Sequence, residues 1–348
     1  MRLRDLGIAP GHHPPGPSNA ITDVPGVRVG HTTLVEGDAV RTGVTAIHPH
    51  DGSALRDRCP AAIAVLNGSG EITGRSQVDE HGLLETPIVL TNTLSVGVAH
   101  RATVDWIVRE EGLVDDFVIP IVSETYDGFL NDIRGQHVRP EHVHAALDSA
   151  TTGPVPEGNV GGGTGMALFQ LKGGIGTSSR RLSLGGEHVT VGVLVQGNFG
   201  RRHHLLVQGR PVGREHLDEL LPVRTDPGRE GSVVVIIGTD VPLSDRQLGR
   251  LARRGMLGIA RTGGVAGHTS GDLLLAFSNA GSVRVPRGKD KVFVDARFLH
   301  DAYIDPVFEA VIEATEEAIL NAMVAAETLT GRDGHVLHAL PHAWLGAR

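Results

Sequence analysis

A chain of 348 residues can bury one large core or two small ones, and a hydrophobic content of 40% is ordinary for a globular protein. Aromatics are only 3% while glycine reaches 47 residues, so the core must be packed by Val, Leu, Ile and Ala with many close backbone approaches. The formal charge of -8 argues against a nucleic-acid partner, which needs clustered Lys and Arg; Arg180-Arg181 and Arg253-Arg254 are short and read as solvated surface.

Residues 1–20, rich in Pro, Gly and His, read as an irregular arm. The arm lacks the apolar run of about seven or more residues that a secretory signal carries. No window approaches the ~18–20 apolar residues of a membrane span, so the expectation is a soluble, cytoplasmic protein without a membrane partner. Ile21 to His31 reads as a Pro-Gly turn entering a strand. Cys59 is the single cysteine, which leaves no disulfide within one chain, and the Pro60 and apolar run beside it suggest a buried thiol. The 19 histidines form no H-E-x-x-H or Cys/His ligand pattern, so neither a metal nor a cofactor is expected.

Ala61–Leu66 is a buried strand that runs into the glycine-rich loop Asn67-Gly68-Ser69-Gly70-Glu71. Such a loop can bring backbone amides to a ligand, but it is not a nucleotide fingerprint, and a simple loop fits as well. Ile88-Val89-Leu90 is the next strand, followed by a helix over about 95–111 with Thr93 or Ser95 as N-cap. Asn92 at that junction suits a bond to local backbone. Phe117–Val122 leads into Ser123-Glu124-Thr125-Tyr126-Asp127. Two residues apart in extended chain, Glu124 and Tyr126 face the same side. A carboxylate there can bind an ammonium, and a phenol can donate to an oxyanion, although the residues alone read Glu124 as a surface charge.

A short helix is expected over 139–150. Gly158 to Met166 is too glycine-rich for a helix or strand and permits close backbone approach. Val189–Val195 is a central strand ending in Gln196-Gly197-Asn198, and the Asn198 amide is a neutral oxyanion donor. Residues 201–231 read as an exposed, polar connection. Ser232 then opens the run Val233-Val234-Val235-Ile236-Ile237, five β-branched residues that read as a strand buried on both faces. A helix follows over 243–261 and is closed by Gly263-Gly264. Ser270 and Asp272 point the same way from the strand that comes next, where a carboxylate can orient a hydroxyl. A long amphipathic helix over 301–329 carries Tyr303, Val307, Val311 and Ile319 on its buried stripe, and the tail 332–348 reads as irregular.

Gly-Ser pairs occur at 52, 68, 231 and 281, and most such pairs are turns. Gly231-Ser232, with its buried strand and Thr239-Asp240-Val241-Pro242-Leu243, resembles the self-cleavage site of the DmpA-like aminopeptidases. That family comprises the L-aminopeptidase/D-amidase and the β-peptidyl aminopeptidases. The stretches at 21–31, 67–74, 123–132, 157–166, 196–200 and 269–278 resemble the same family, so the likeness spans nearly the whole chain. It implies an α/β protein, a four-layer α-β-β-α sandwich of the DmpA/ornithine-acetyltransferase type. One domain, 1–348, would cut itself into 1–231 and 232–348. Ser232 would be the nucleophile, Tyr126 and Asn198 the oxyanion hole, Ser270 and Asp272 its support, and Glu124 the partner of the substrate's free amino group. The implied partners are a small peptide or amino-acid amide substrate and further copies of the processed αβ heterodimer in a homo-oligomer.

The chemistry behind this reading is a missing base. A serine hydroxyl is a weak nucleophile, and no G-x-S-x-G elbow is present to supply a triad. Cleavage before Ser232 exposes an α-amine with a reference pKa of about 7.7–8.0 on the same residue as the hydroxyl. Three rivals remain at this point. Relatives of ornithine acetyltransferase share the strategy but cleave before threonine. An endo-acting amidase of the same fold would turn over N-acylated substrates. An uncleaved small-molecule-binding protein would stay a single chain.

Overall fold

Among the residues that the computed structural model describes, 1–113, 116–220, 231–288 and 292–346, the apolar runs pair into two stacked sheets. The main strands are β1 (Arg28–Glu36), β2 (Val40–His48), β3 (Asp57–Gly68), β4 (Ile88–Asn92) and β5 (Ile121–Thr125). They continue with β6 (Gly174–Leu184), β7 (Glu187–Phe199), β8 (Gly231–Thr239) and β9 (Gly271–Ser278). The main helices are α1 (Val96–Glu111), α2 (Pro140–Asp148), α3 (Asp245–Arg261) and α4 (Asp305–Val324). One sheet has the order β1-β2-β4-β5 and the other the order β3-β9-β8-β7-β6, with Leu83–Leu84 and Val285–Pro286 paired to β3. Neighbours are antiparallel except β4/β5 and β8/β9. Parallel neighbours need a long crossover, and α1 and α3 provide one each.

Alternation along the strands sets the layers. Val44, Ala46, Val89 and Val122 meet Ala102 of α1 and Val143 of α2 on the outside of the first sheet. Ile47, Ile88 and Leu90 meet Val234, Ile236 and Leu273 between the sheets. Val233, Val235 and Ile237 meet Leu248 and Leu251 of α3 and Val311 of α4 on the far side. The result is the expected α-β-β-α sandwich. A strand turns successive side chains to opposite faces, so Ser232 shares the inter-sheet side with Val234 and Ile236.

Several local readings hold. Cys59 is buried. The helix expected over 243–261 forms as α3, and the structure adds its cap, a box of Ser244 and Gln247 in which the Gln247 N–H donates to Ser244 Oγ at 3.3 Å and the Ser244 N–H to Gln247 Oε1 at 3.0 Å. The glycine-rich stretch is a wedge between the sheets, where a Cβ on Gly162 would meet Gln196 Oε1 at 2.0 Å and one on Gly163 the Ile175 nitrogen at 2.4 Å. Among the described residues no helix is long and apolar enough to cross a membrane.

Others need correction. Arg180 is not solvated surface. It is fully buried, with Nε 3.0 Å from Glu313 and Nη2 2.8 Å from Glu317, because α4 lays both carboxylates against β6 and a buried charge needs a partner. α4 begins at Asp305, and Tyr303 stands outside it, 67% exposed. The connection after 200 is not bare: Arg202, Leu205, Val207 and Val212 are buried, with a short helix at Val212–Glu215. Residues 221–230 of that connection lie outside the described residues. The tail pairs Val336–Leu337 with Leu329–Thr330 and buries Trp344 and Leu345, since these apolar groups complete the core.

Candidate active site

β8 carries Ser232 to the mouth of the inter-sheet space. Its register sets Ser232 opposite Asn198 on β7 and beside Gly271 on β9. Gly231 has φ +92, and a Cβ on it would stand 1.8 Å from the Asn198 carbonyl oxygen, so glycine is the residue that fits here. From the other sheet, β5 ends with Glu124 and Thr125, and Tyr126 follows. The Tyr126 N–H donates to Ser232 Oγ at 3.3 Å and joins the two sheet ends.

Asn198 is 1% exposed and oriented from two sides. Its Oδ1 accepts from the Ala167 N–H at 2.8 Å, and its Nδ2 donates to the Tyr126 carbonyl at 2.8 Å. Its second amide N–H has no hydrogen-bond partner among the described residues. Ala167 is held in turn by the wedge, where buried Lys172 Nζ donates to the Met166 carbonyl at 2.9 Å and to that of Gly173 at 2.7 Å. Burial pushes the Lys172 amine down to about 7.

Glu124 is 3% exposed, and burial raises its carboxyl above the usual range against the opposing bonds from Thr93 and Glu71. Its Oε1 accepts from the Glu71 N–H at 3.1 Å, and its Oε2 accepts from the Thr93 hydroxyl. Gly70 makes that approach possible, since a Cβ there would lie 3.1 Å from Glu124 Oε1 and 3.0 Å from Gly271 Cα. The glycine-rich loop thus presents a backbone amide to a side chain of the site. A cleft of about 460 Å³ opens here, lined by Ser232, Gly231, Glu124, Tyr126, Thr93 and Ser69, with Leu94, Ile133, Arg134 and Thr269 completing it.

Ser270 and Asp272 do pair, with Ser270 Oγ donating to Asp272 Oδ1 at 2.8 Å. They stand apart from the cleft. Asp272 alternates with Leu274 and Ala276, which face α3 and α4, so it lies on the opposite side of the sheet from the Ser232 side chain. Both line a smaller cavity with Phe199, His204 and Ile259. Among the described residues no hydrogen bond joins either one to Ser232; the link is the backbone of Gly271, which lies between them and is paired to Ser232. Asp272 Oδ2 has no hydrogen-bond partner among the described residues, and burial pushes the carboxyl up to about 6.

Sequence reasoning offered Thr93 or Ser95 as the cap of α1; Ser95 stands at the N-cap position, without a side-chain cap bond, and Asn92 Oδ1 caps the preceding turn Thr93–Ser95 by accepting from the Leu94 and Ser95 N–H groups. Parallel pairing of Asn92 with Thr125 is the signal that would have set Thr93 near Glu124. Leu94, Ile133, Arg134 and Thr269 were missed, and no local pattern marks them. Among the described residues, His12, His13 and Glu313 hold ligand-type atoms within 4.8 Å of one another. The Glu313 carboxylate there already accepts from the backbone N–H groups of His12 and His13 and from Arg180.

Two stacked sheets between helical layers, with a serine hydroxyl at the mouth of a central strand, define a hydrolase of the N-terminal-nucleophile (Ntn) fold. The chain belongs to Peptidase family S58, whose model matches residues 19–337. It is 44% identical to the β-peptidyl aminopeptidase BapA of Sphingosinicella microcystinivorans, over 99% of this chain and 91% of that one. Among solved structures, a β-aminopeptidase from a Burkholderia species matches with a TM-score of 0.91 and 47% identity, covering 99% of this chain and 97% of that chain. The L-aminopeptidase D-Ala-esterase/amidase of Ochrobactrum anthropi, described as a variant of the Ntn hydrolase fold, matches with a TM-score of 0.92 and 42% identity, covering 99% and 96%.

Proposed function

We propose that this protein cuts itself between Gly231 and Ser232 and then acts as an aminopeptidase and amidase. The observation that carries the reading is Ser232 Oγ beneath the Tyr126 N–H, in one cleft with the Glu124 carboxylate and directly after a glycine at φ +92. In maturation, Ser232 Oγ bonds to the Gly231 carbonyl carbon and the peptide C–N bond breaks. The departing nitrogen becomes the α-amine of Ser232, taking up the hydroxyl proton, and water then hydrolyses the ester to free the Gly231 carboxylate. The new amine then serves as the general base.

In the mature enzyme, Ser232 attacks the carbonyl of the first residue of a short peptide, amino-acid amide or ester. The Tyr126 phenol and the spare Asn198 N–H hold the developing oxyanion, and Glu124 binds the substrate ammonium, which restricts cleavage to the amino end. Ser270 and Asp272 position Ser232 through Gly271. The names of the relatives, a β-peptidyl aminopeptidase and an L-aminopeptidase with D-Ala-esterase/amidase activity, support this substrate class. The products 1–231 and 232–348 remain one domain, because β8 and β9 lie between β3 and β7 in a single sheet. The same reading has the processed pair working as a homo-oligomer in the cytoplasm.

The test is a denaturing gel with N-terminal sequencing of the smaller band, expected to begin Ser-Val-Val-Val. Ser232→Ala should stay one chain and hydrolyse nothing. A fully active preparation with an intact 231–232 bond would sink the proposal.

A further inference from the structure

Two charged side chains stand among the described residues that line the cleft, and they have opposite signs: Glu124 and Arg134. Glu124 is buried, and both of its oxygens are fixed by Thr93 and Glu71. Arg134 is different. It lies on the turn Ile133–Gly135, exposed, and makes no hydrogen bond or ion pair with the described residues. The turn itself is anchored. Ile133 is 6% exposed, the Asp132 N–H donates to the Ala39 carbonyl at 2.7 Å, and the Asn131 Nδ2 donates to Asp127 at 3.1 Å. The nearest acid along the chain, Asp132, faces His137 at 3.5 Å. The backbone under Arg134 is therefore fixed while its guanidinium keeps its full donor set for a ligand.

We infer that Arg134 receives the free C-terminal carboxylate of the substrate, so that the cleft reads both ends of a zwitterionic short peptide. The ammonium goes to Glu124, the scissile amide to Ser232 and the carboxylate to Arg134. This rests on the aminopeptidase reading above and extends it to the leaving-group side. A guanidinium matches a carboxylate in a planar, two-bond fork, the strong form of charge-assisted hydrogen bond. Each added residue carries the terminal carboxylate about 3.3–3.6 Å farther from the ammonium. Two charges at set places in one cleft therefore favour a narrow range of short lengths. Arg134 touches only the part that departs when Ser232 is acylated, so its contribution belongs to the acylation step. The acyl-enzyme left behind is common to the peptide and to the matching amide.

The test compares kcat/KM for a dipeptide with a free C-terminus and for the same dipeptide amidated there, using wild type and Arg134→Ala. Wild type should favour the free acid, and Arg134→Ala should lower the acid-to-amide ratio about tenfold or more. Arg134→Lys should keep part of the preference, and Arg134→Glu should reverse it. Both bands on a denaturing gel show that each variant has folded and matured. If the ratio in Arg134→Ala equals that of wild type while both proteins split and turn over the amide, the carboxylate assignment falls and the aminopeptidase reading stands. A wild type that neither splits nor hydrolyses either peptide overturns both.

Discussion

Gly231→Ala tests the self-cleavage geometry most directly. The residue sits at φ +92, a region that costs an L-residue about 1–2 kcal/mol. A new Cβ would stand 1.8 Å from the Asn198 carbonyl oxygen, and separations under 3.0 Å are not tolerated, so the peptide must back away by at least 3.0 − 1.8 = 1.2 Å. Asn198 cannot yield in its place, because its side chain is held by Ala167 and Tyr126 and its strand by the β6 and β8 ladders. The displacement falls on the carbonyl that Ser232 is to attack, and a misplacement of about 1 Å costs roughly 100-fold in rate. Purified Gly231→Ala precursor, followed by densitometry on denaturing gels, should split about 100-fold more slowly than wild type while remaining folded by circular dichroism. A half-time within about threefold of wild type would show that the observed approach to Asn198 does not govern processing.

Other expectations follow from the same geometry. Glu124→Gln removes the charge opposite the substrate ammonium and should lower kcat/KM about 10- to 100-fold for substrates with a free amine, as steady-state assays would show. Falling pH protonates both Glu124, whose carboxyl is raised by burial, and the Ser232 α-amine, so activity should decline on the acid side with a slope approaching two; Glu124→Gln should reduce that slope to one. Asp272 is pushed up to about 6, so the folded chain binds its proton more tightly than the unfolded chain does, and ionisation subtracts stability as pH rises from about 4 past 6. Asp272→Asn, compared with Asp272 in the uncleaved Ser232→Ala background, should therefore raise Tm more at pH 8 than at pH 4; an equal gap at both would reject burial as the cause. Arg180→Ala leaves the buried Glu313 carboxylate without its guanidinium, while Glu317 keeps Arg4, and should cost about 3–5 kcal/mol in thermal or urea unfolding of the same background, whereas a loss under about 1 kcal/mol would contradict the buried pairing.

Much of the architecture was legible along the chain. The β-branched run after Ser232, the two-residue spacing of Glu124 and Tyr126 and the helix over 243–261 are local patterns, and each forms as its periodicity requires. Arg180 was misread because its partners lie on α4, 133 and 137 residues away. The three glutamates at 313, 316 and 317 on the buried stripe of that helix were the available clue, since such carboxylates need a cation. Ser270 and Asp272 were read correctly as neighbours, yet spacing could not say which side of the sheet they would occupy relative to Ser232.

The sequence by itself determined the strand after Ser232, the helices over about 95–111 and 243–261 and which of their residues share a face, because those depend on backbone periods of 2 and 3.6 residues; β2 and β6 were not read, and the strand expected over 117–122 lies at Ile121–Thr125. Only the tertiary structure decided that Tyr126 meets Ser232 across 106 residues, that Asn198 stands opposite it and forbids a side chain at Gly231, and that Thr93, Thr269 and Arg134 share its cleft. Those juxtapositions depend on which strands pair and in what register. The burial of the whole core sets both, and no short stretch carries that information.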